Sequence, residues 1–393
     1  MKKQLMVFMI VLLSVGLLLT GCGSDKAKQA APAAPASNEI KIGGNFEMTG
    51  GIANFGKQTV NGIQMAFKEI NAAGGVNGKQ LKLILADNKS EPAEATNAVT
   101  KLITQDKVVA VLGPVASSNV LATLQVAQDS KIPVLTATGT NEKITVDGGK
   151  VRPFAFRGCF IDPFQGQVMA NFATNTVKAK TAVIYVDQSS DYSKGLKQSF
   201  EAAFIKNGGR ILSTEAFLQK DQDFKATLTK IKGLNPDTIF IPAYYEEVGK
   251  IVKQARELGM TVPMLGTDGW DDPKVVEIAG AKALDNTFFS NHYSSQDTDP
   301  AVVKFVAAYK KEYNQEPSAL AALGYDSGLM IADAIKRANS TDGTKIAEAL
   351  AKTKDLKVST GILTIDANHN PVKSAVVIEM KAGKQTFKTK VNP

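Results

Sequence analysis

From residue 40 onward, short apolar runs alternate with longer stretches in which apolar residues recur every three or four positions. The run 40–46 predicts a strand. Val60, Ile63, Phe67 and Ile70 follow at helical spacing, and Gly74-Gly75 ends that helix. The pattern continues with a strand at 81–87, a helix at 91–105, a strand at 108–113, a helix at 118–129 and a strand at 134–136. It restarts after Arg157: helix 162–175, strand 181–187, helix 192–207, strand 210–216, helix 223–233 and strand 238–242. Val248, Ile251, Val252, Ala255 and Leu258 then mark one face of a helix, and strands follow at 263–266 and 286–293. Repeated βα units predict an α/β fold with parallel sheets covered by helices on both faces. Two such series predict two similar lobes.

The first 38 residues break this pattern. Lys2 and Lys3 precede an apolar run at 5–19, which ends in Leu19-Thr20-Gly21-Cys22. A basic start, an apolar stretch shorter than the ~20 residues of a spanning helix, and small residues before a Cys read as an export signal. The boundary resembles a bacterial lipobox, in which the Cys is lipidated and becomes the mature N-terminus. Residues 1–21 are thus expected to be a signal peptide, with Cys22 the lipidation site. Residues 22–38, rich in Ala, Pro, Ser, Lys and Gln, are expected to form a flexible spacer. The protein then sits outside the cytoplasm, tethered to a bacterial membrane by lipid.

Charge and cysteine content narrow the partners. The chain carries 46 Lys and Arg against 38 Asp and Glu, a net +8, of which Lys2 and Lys3 belong to the leader. The surplus is dispersed and forms no run, which argues for solubility and against a nucleic-acid groove; the protein is expected to be a monomer. Cys22 and Cys159 are the two cysteines. With Cys22 lipidated, Cys159 has no partner, and its neighbours Gly158 and Phe160 make it a buried small hydrophobe.

Catalytic and cofactor motifs are missing from the sequence. Gly74-Gly75-Val76-Asn77-Gly78-Lys79 has neither the spacing of a phosphate loop nor the hydroxyl after its Lys, because Gln80 stands there. No Gly-x-Gly-x-x-Gly opens a helix, and no Gly-x-Ser-x-Gly elbow occurs. His292 and His369 are too few for a His/Cys metal cluster or a His-based triad. Asp366-Ala367-Asn368-His369-Asn370 starts like a calcium loop, but Pro371 stands where Gly is needed, so it reads as a turn. Neither cofactor nor metal is expected, and the chain is expected not to be an enzyme.

What remains are polar loops at strand C-termini, where open α/β sheets bind ligands. Ser117 and Ser118 open a helix whose free N–H groups and dipole suit a carboxylate; the bland alternative is that Ser118 caps the helix. Thr136-Ala137-Thr138-Gly139-Thr140-Asn141 is a second hydroxyl cluster. Thr267-Asp268-Gly269-Trp270 sets an acid beside the single Trp. Ser189-Ser190-Asp191-Tyr192 and Tyr244-Tyr245 add further polar and aromatic groups.

These loops, together with Gly50-Gly51-Ile52-Ala53-Asn54-Phe55-Gly56, Asn71-Ala72-Ala73-Gly74-Gly75-Val76-Asn77-Gly78 and Asp191-Tyr192-Ser193-Lys194-Gly195, give the mature chain a family resemblance. It resembles the leucine/isoleucine/valine-type extracellular solute-binding proteins of bacterial ABC importers. The resemblance implies a type I periplasmic-binding-protein fold: two doubly wound lobes, here 39–160 with 292–371 and 161–291 with 372–393, joined by three crossovers near Phe160, His292 and Val372. It implies that Ser117 binds an amino-acid α-carboxylate, that the Thr138 carbonyl takes the α-ammonium, and that Thr140 touches both. Asp268 would pair with the ammonium. Phe55, Tyr192 and Tyr244 match aromatic lining positions, Leu320 falls near an apolar one, and Trp270, beside Asp268, is expected to contact the ligand as well. The family often has Glu at the position of Asp268 and Tyr at that of Phe55. The implied partners are an apolar, branched-chain-type amino acid and a membrane permease. A ligand-sensing receptor for amides or aromatic acids is an alternative on the same fold.

Overall fold

The structure is a computed structural model that describes residues 38–392; the signal-peptide and Cys22 assignments and most of the spacer fall outside that range. The first half of the chain builds β1 (Glu39–Phe46), α1 (Ala53–Ala72), β2 (Gln80–Asp87), α2 (Pro92–Thr104), β3 (Ala110–Leu112), α3 (Ser117–Ser130) and β4 (Val134–Thr136). A two-stranded hairpin, β5 (Val146–Asp147) with β6 (Lys150–Val151), precedes β7 (Ala155–Arg157). The large strands form a five-stranded parallel sheet in the order β2-β1-β3-β4-β7. The winding direction reverses between β1 and β3, so the loops after Phe46 and Leu112 splay apart and leave a crevice.

The second half builds α4 (Asp162–Asn175), β8 (Thr181–Asp187), α5 (Asp191–Lys206), β9 (Arg210–Phe217), α6 (Lys225–Leu234), β10 (Thr238–Phe240), α7 (Tyr245–Glu257), β11 (Met264–Gly266), α8 (Lys274–Ala279) and β12 (Thr287–Asn291). Strands β8, β10, β11 and β12 are buried on both faces, as central strands of a two-sided sheet are, and β8, β10 and β11 are largely apolar. Their sheet runs β12-β11-β10-β8-β9, with its reversal between β8 and β10, and is extended beyond β12 by two further strands from the end of the chain. Before the last two strands come α9 (Pro300–Tyr313), α10 (Ala319–Ala338), α11 (Gly343–Ala351) and the hairpin of β13 (Leu356–Val358) with β14 (Gly361–Leu363). Strands β15 (Ala375–Lys381) and β16 (Lys384–Val391) then close the second sheet, both antiparallel to their neighbours. The chain therefore passes between the two sheets three times: after Arg157, after Asn291 and before Ala375.

The βα alternation predicted up to residue 293 is present, with shifts of a few residues at element ends. The antiparallel edge was not predicted. β16 is largely exposed and carries Lys384, Lys388 and Lys390, so it lacks the apolar face that marks a strand and acts instead as a charged edge. α10 was missed for the opposite reason. It is buried around most of its surface, so polar residues do not mark out a face.

α10 packs along α1, and glycines make the approach possible. A Cβ on Gly62 would stand 2.0 Å from the Ala321 carbonyl oxygen, and one on Gly324 would stand 2.2 Å from that of Thr59. The two helices thus meet backbone to backbone and behave as one rigid body. Among the described residues no helix is long and apolar enough to cross a membrane.

Candidate ligand-binding site

Loops from both sheet reversals converge on a single small cavity. Phe55 reaches it from α1, Val115 from the turn between β3 and α3, Ser117 from the first turn of α3, Thr138 from the loop after β4, and Leu320 from α10. Tyr192 at the start of α5, Tyr244 after β10, and Asp268 with Gly269 after β11 complete the wall from the other sheet. The unfilled space, open solvent at its mouth included, is about 270 Å³.

Seven of the nine residues expected from the sequence line this cavity; Thr140 and Trp270 do not. Trp270 ends a 3-10 turn that begins at Asp268, and successive side chains there point about 120° apart. Asp268 consequently faces the cavity while the indole points back into its own lobe. Its Nε1 donates to the Ile241 carbonyl at 3.0 Å, and the ring packs where a Cβ on Gly266 would collide with it at 2.1 Å. Trp270 anchors the turn and does not contact the cavity. Thr140 is fully buried, and its hydroxyl has no well-formed hydrogen bond within the protein.

Asp268 dominates the electrostatics. Its Oδ1 accepts from the Tyr192 hydroxyl at 2.6 Å and from Gln165 Nε2 at 3.1 Å, and its Oδ2 lies 2.8 Å from His292 Nε2. Each donor is neutral. Burial, followed by the Asp268 charge, pushes the Tyr192 phenol well above its ordinary value, so it stays a donor. Burial pulls His292 below its ordinary value despite the bond to Asp268, which makes it an uncharged imidazole donating from Nε2. Because the Tyr192 proton goes to Asp268, Thr267 must donate to the phenol oxygen at 2.6 Å, and the Gly269 N–H donates to the same oxygen at 2.9 Å. Among the described residues no Lys or Arg pairs with Asp268; its one ion-pair contact is the neutral His292. A buried carboxylate with neutral donors and an open face toward a cavity is a site for a cation.

The opposite wall offers hydroxyls and the start of α3. Its N-cap is Ala116, so neither Ser117 nor Ser118 serves as the cap. Part of the helix start is already occupied. Glu47, fully buried, accepts from the N–H groups of Val115 (3.0 Å) and Ala116 (3.1 Å) and from Asn119 Nδ2 (2.7 Å). Burial raises the Glu47 carboxyl, and these bonds oppose the rise. Ser117 and the first turn of α3 are what remain for an anionic ligand group. The sides are apolar: Tyr192 and Tyr244 stack with ring centres 4.9 Å apart, and Phe55 meets Tyr244 edge-on at 6.0 Å.

Sequence reasoning missed Glu47, Gln165 and His292, and one signal was available for the last. A lone His near the end of an apolar strand needs a polar partner once buried. His292 stacks on Phe160 at 3.7 Å, which fixes the plane of its bond to Asp268. Cys159 is buried as expected, with its thiol pushed up to about 12 chiefly by burial. Segment 366–370 is a turn, with Asp366 Oδ1 accepting from the N–H groups of Asn368 and Asn370. Among the described residues no group of side chains could hold a metal ion.

The sequence profile described as periplasmic binding protein matches residues 39–385. The chain belongs to that family. It is a solute-binding protein with the type I fold, and not an enzyme. It is similar to a leucine binding protein of Thermotoga maritima, with 42% identity and a TM-score of 0.86 over 90% of this chain and 99% of that one. A branched-chain amino acid transporter substrate binding protein of Streptococcus pneumoniae, solved with isoleucine, gives 40% identity and a TM-score of 0.85 over 90% and 100%. The leucine-, isoleucine-, valine-, threonine- and alanine-binding protein of Pseudomonas aeruginosa is 29% identical over 332 residues, 84% of this chain and 87% of that protein.

A second buried acid stands close to Asp268. The side chain of Gln165 reaches both, at 3.4 Å from Asp162 Oδ1 and 3.1 Å from Asp268 Oδ1, and Asp162 Oδ2 has no well-formed hydrogen bond within the protein. Burial is the main force that pushes the Asp162 carboxyl up from 3.8 to about 8, with the Asp268 charge adding to it and Arg157 opposing. In the unfolded chain the same group loses its proton near pH 4. Between those values the folded state holds the extra proton, so this group lowers stability as pH rises through that window. Asp162→Asn keeps the shape without the charge. Thermal unfolding followed by circular dichroism should show the variant gaining on the wild type from pH 5 to pH 9; a gap that stays constant with pH would contradict this assignment.

Proposed function

We propose that this chain captures an amino acid with an apolar, branched side chain between its two lobes and delivers it to an ABC importer. The observation that carries the proposal is Asp268, a buried carboxylate held by neutral donors and open to a cavity whose far wall offers Ser117 and the start of α3. A zwitterion brings one group for each wall: its ammonium to Asp268, with the Thr138 carbonyl as a second acceptor, and its carboxylate to Ser117. Phe55, Tyr192, Tyr244 and Leu320 then pack the side chain. The absence of a Lys or Arg among the described lining residues favours an uncharged side chain, and the aromatic and aliphatic walls favour an apolar one. The leucine- and isoleucine-binding relatives support the same choice.

In this reading residues 39–160 and 292–371 form one lobe, 161–291 and 372–393 the other, and they close on the ligand. The protein acts as a monomer outside the cytoplasm. It is held to the membrane by lipid on Cys22, with 23–38 as spacer.

Calorimetric titration with the twenty amino acids, benzoate and a short amide is the direct test. Leucine, isoleucine or valine should bind most tightly. Asp268→Ala should weaken that ligand by about 3–5 kcal/mol, because the ammonium is then buried without a partner. Phe55→Ala should cost less and relax the choice among side chains. Wild-type affinity in Asp268→Ala, or a preference for benzoate, would point to a ligand without an amino group.

The anchor is tested separately. Cys22→Ala expressed in a lipoprotein-processing bacterium should move the protein from the membrane to the soluble fraction, since the spacer has no other apolar segment. Membrane-bound protein whose Cys22 is unmodified by mass spectrometry would refute the tether.

A further inference from the structure

Beside four of the nine lining residues stands a chain neighbour that spans the cleft. Phe55 follows Asn54, whose Nδ2 donates across the cleft to Asp272 Oδ1 at 3.0 Å. One turn along the same face of α1, Gln58 Nε2 donates to Asp272 Oδ2 at 2.8 Å. Leu320 follows Ala319, whose N–H donates to Asp271 Oδ2 at 2.7 Å. On the opposite flank Ser118, beside Ser117, accepts from the Asp191 N–H at 2.9 Å, and Asn141 Nδ2 donates to the Asp191 carbonyl at 2.8 Å; Asp191 adjoins Tyr192. The cavity is thus bracketed by two polar seams, built from the same short segments that line it.

Asp272 is the strongest point of these seams. It is 1% exposed and receives both amides of α1 on separate oxygens, while Lys274 N–H fixes its orientation at 2.9 Å. The bodies it joins are rigid. α1 is locked to α10 through Gly62 and Gly324, and the turn carrying Asp268, Asp271 and Asp272 is pinned by the buried Trp270. By contrast, the Lys220–Glu91 pair at the rim is exposed on both sides and contributes little.

We propose that Asp272, by gripping Asn54 and Gln58, is a positioning residue that sets how long the closed cleft holds its ligand without touching the ligand. Side-chain preference then belongs to the lining residues and residence time to their cleft-spanning neighbours. The inference rests on the amino-acid-binding reading above. In an open cleft Asp272 and the two amides would be hydrated, so their bonds form only on closure and act on dissociation rather than on encounter.

Stopped-flow binding of leucine, isoleucine and valine to the purified full chain tests it. Asp272→Asn turns one oxygen into an NH2 that faces a donor of α1. It should speed dissociation about tenfold to a hundredfold, the range for a lost bond to a charged acceptor. Association should be unchanged, and all three ligands should lose equally. Adding Gln58→Glu to Asp272→Asn reverses donor and acceptor and should restore slow dissociation, which a merely misfolded variant would not do. Wild-type dissociation in Asp272→Asn, an altered order among the three ligands, or no rescue would overturn the proposal. If the wild type binds no amino acid, the reading of function fails and the readout becomes the ligand-free radius of gyration from small-angle scattering. A larger radius for Asp272→Asn supports the clasp, and an equal radius overturns it.

Discussion

The site is organised around one buried negative charge that the protein leaves unpaired. Asp268 takes hydrogen bonds from a phenol, an amide and a neutral imidazole, none of which carries charge. These bonds make the ionised form tolerable, and each contributes about 1.5–3 kcal/mol at most. They fix the carboxylate in one orientation without cancelling it. A Lys or Arg in place of His292 would neutralise the carboxylate and remove the attraction for a cationic ligand group. The arrangement leaves the balancing charge to be supplied from outside.

The two sheet reversals determine why this charge faces a cavity. At each reversal adjacent loops leave in opposite directions, and the lining residues other than Phe55 and Leu320 come from loops, or from the first helical turns, that follow strands. Phe55 and Leu320 come instead from the α1–α10 pair, whose glycine-mediated contact moves them together. On the other side Trp270 converts a three-residue turn into a rigid mount for Asp268. Most of the precision therefore lies one layer behind the cavity wall.

That layer explains which parts were legible in the sequence. Most strands and helices up to residue 293 announce themselves by apolar periodicity, which also delimits the polar loops at their ends; the short β5, β6, β7 and α8 do not. Resemblance assigned seven lining residues that the structure brings together. Trp270 was misassigned because adjacency in sequence is not adjacency in space across a 3-10 turn. His292, Gln165 and Glu47 went unread because each acts on an atom far away along the chain: Gln165 and Asp268 are separated by more than a hundred positions. α10 was illegible because near-complete burial erases the amphipathic pattern. Local pattern reports the scaffold, whereas long-range polar pairing is visible only once the chain is folded.

The central claim is that a ligand ammonium supplies the charge missing at Asp268. It is tested most directly by altering the ligand rather than the protein. Leucine and its α-hydroxy analogue share side chain and carboxylate and differ only in the charged group that would face Asp268. Competitive calorimetry of the two against the wild-type chain should show leucine binding at least ~100-fold more tightly, as expected for a buried carboxylate left without its partner. Equal affinity for the two would contradict the account.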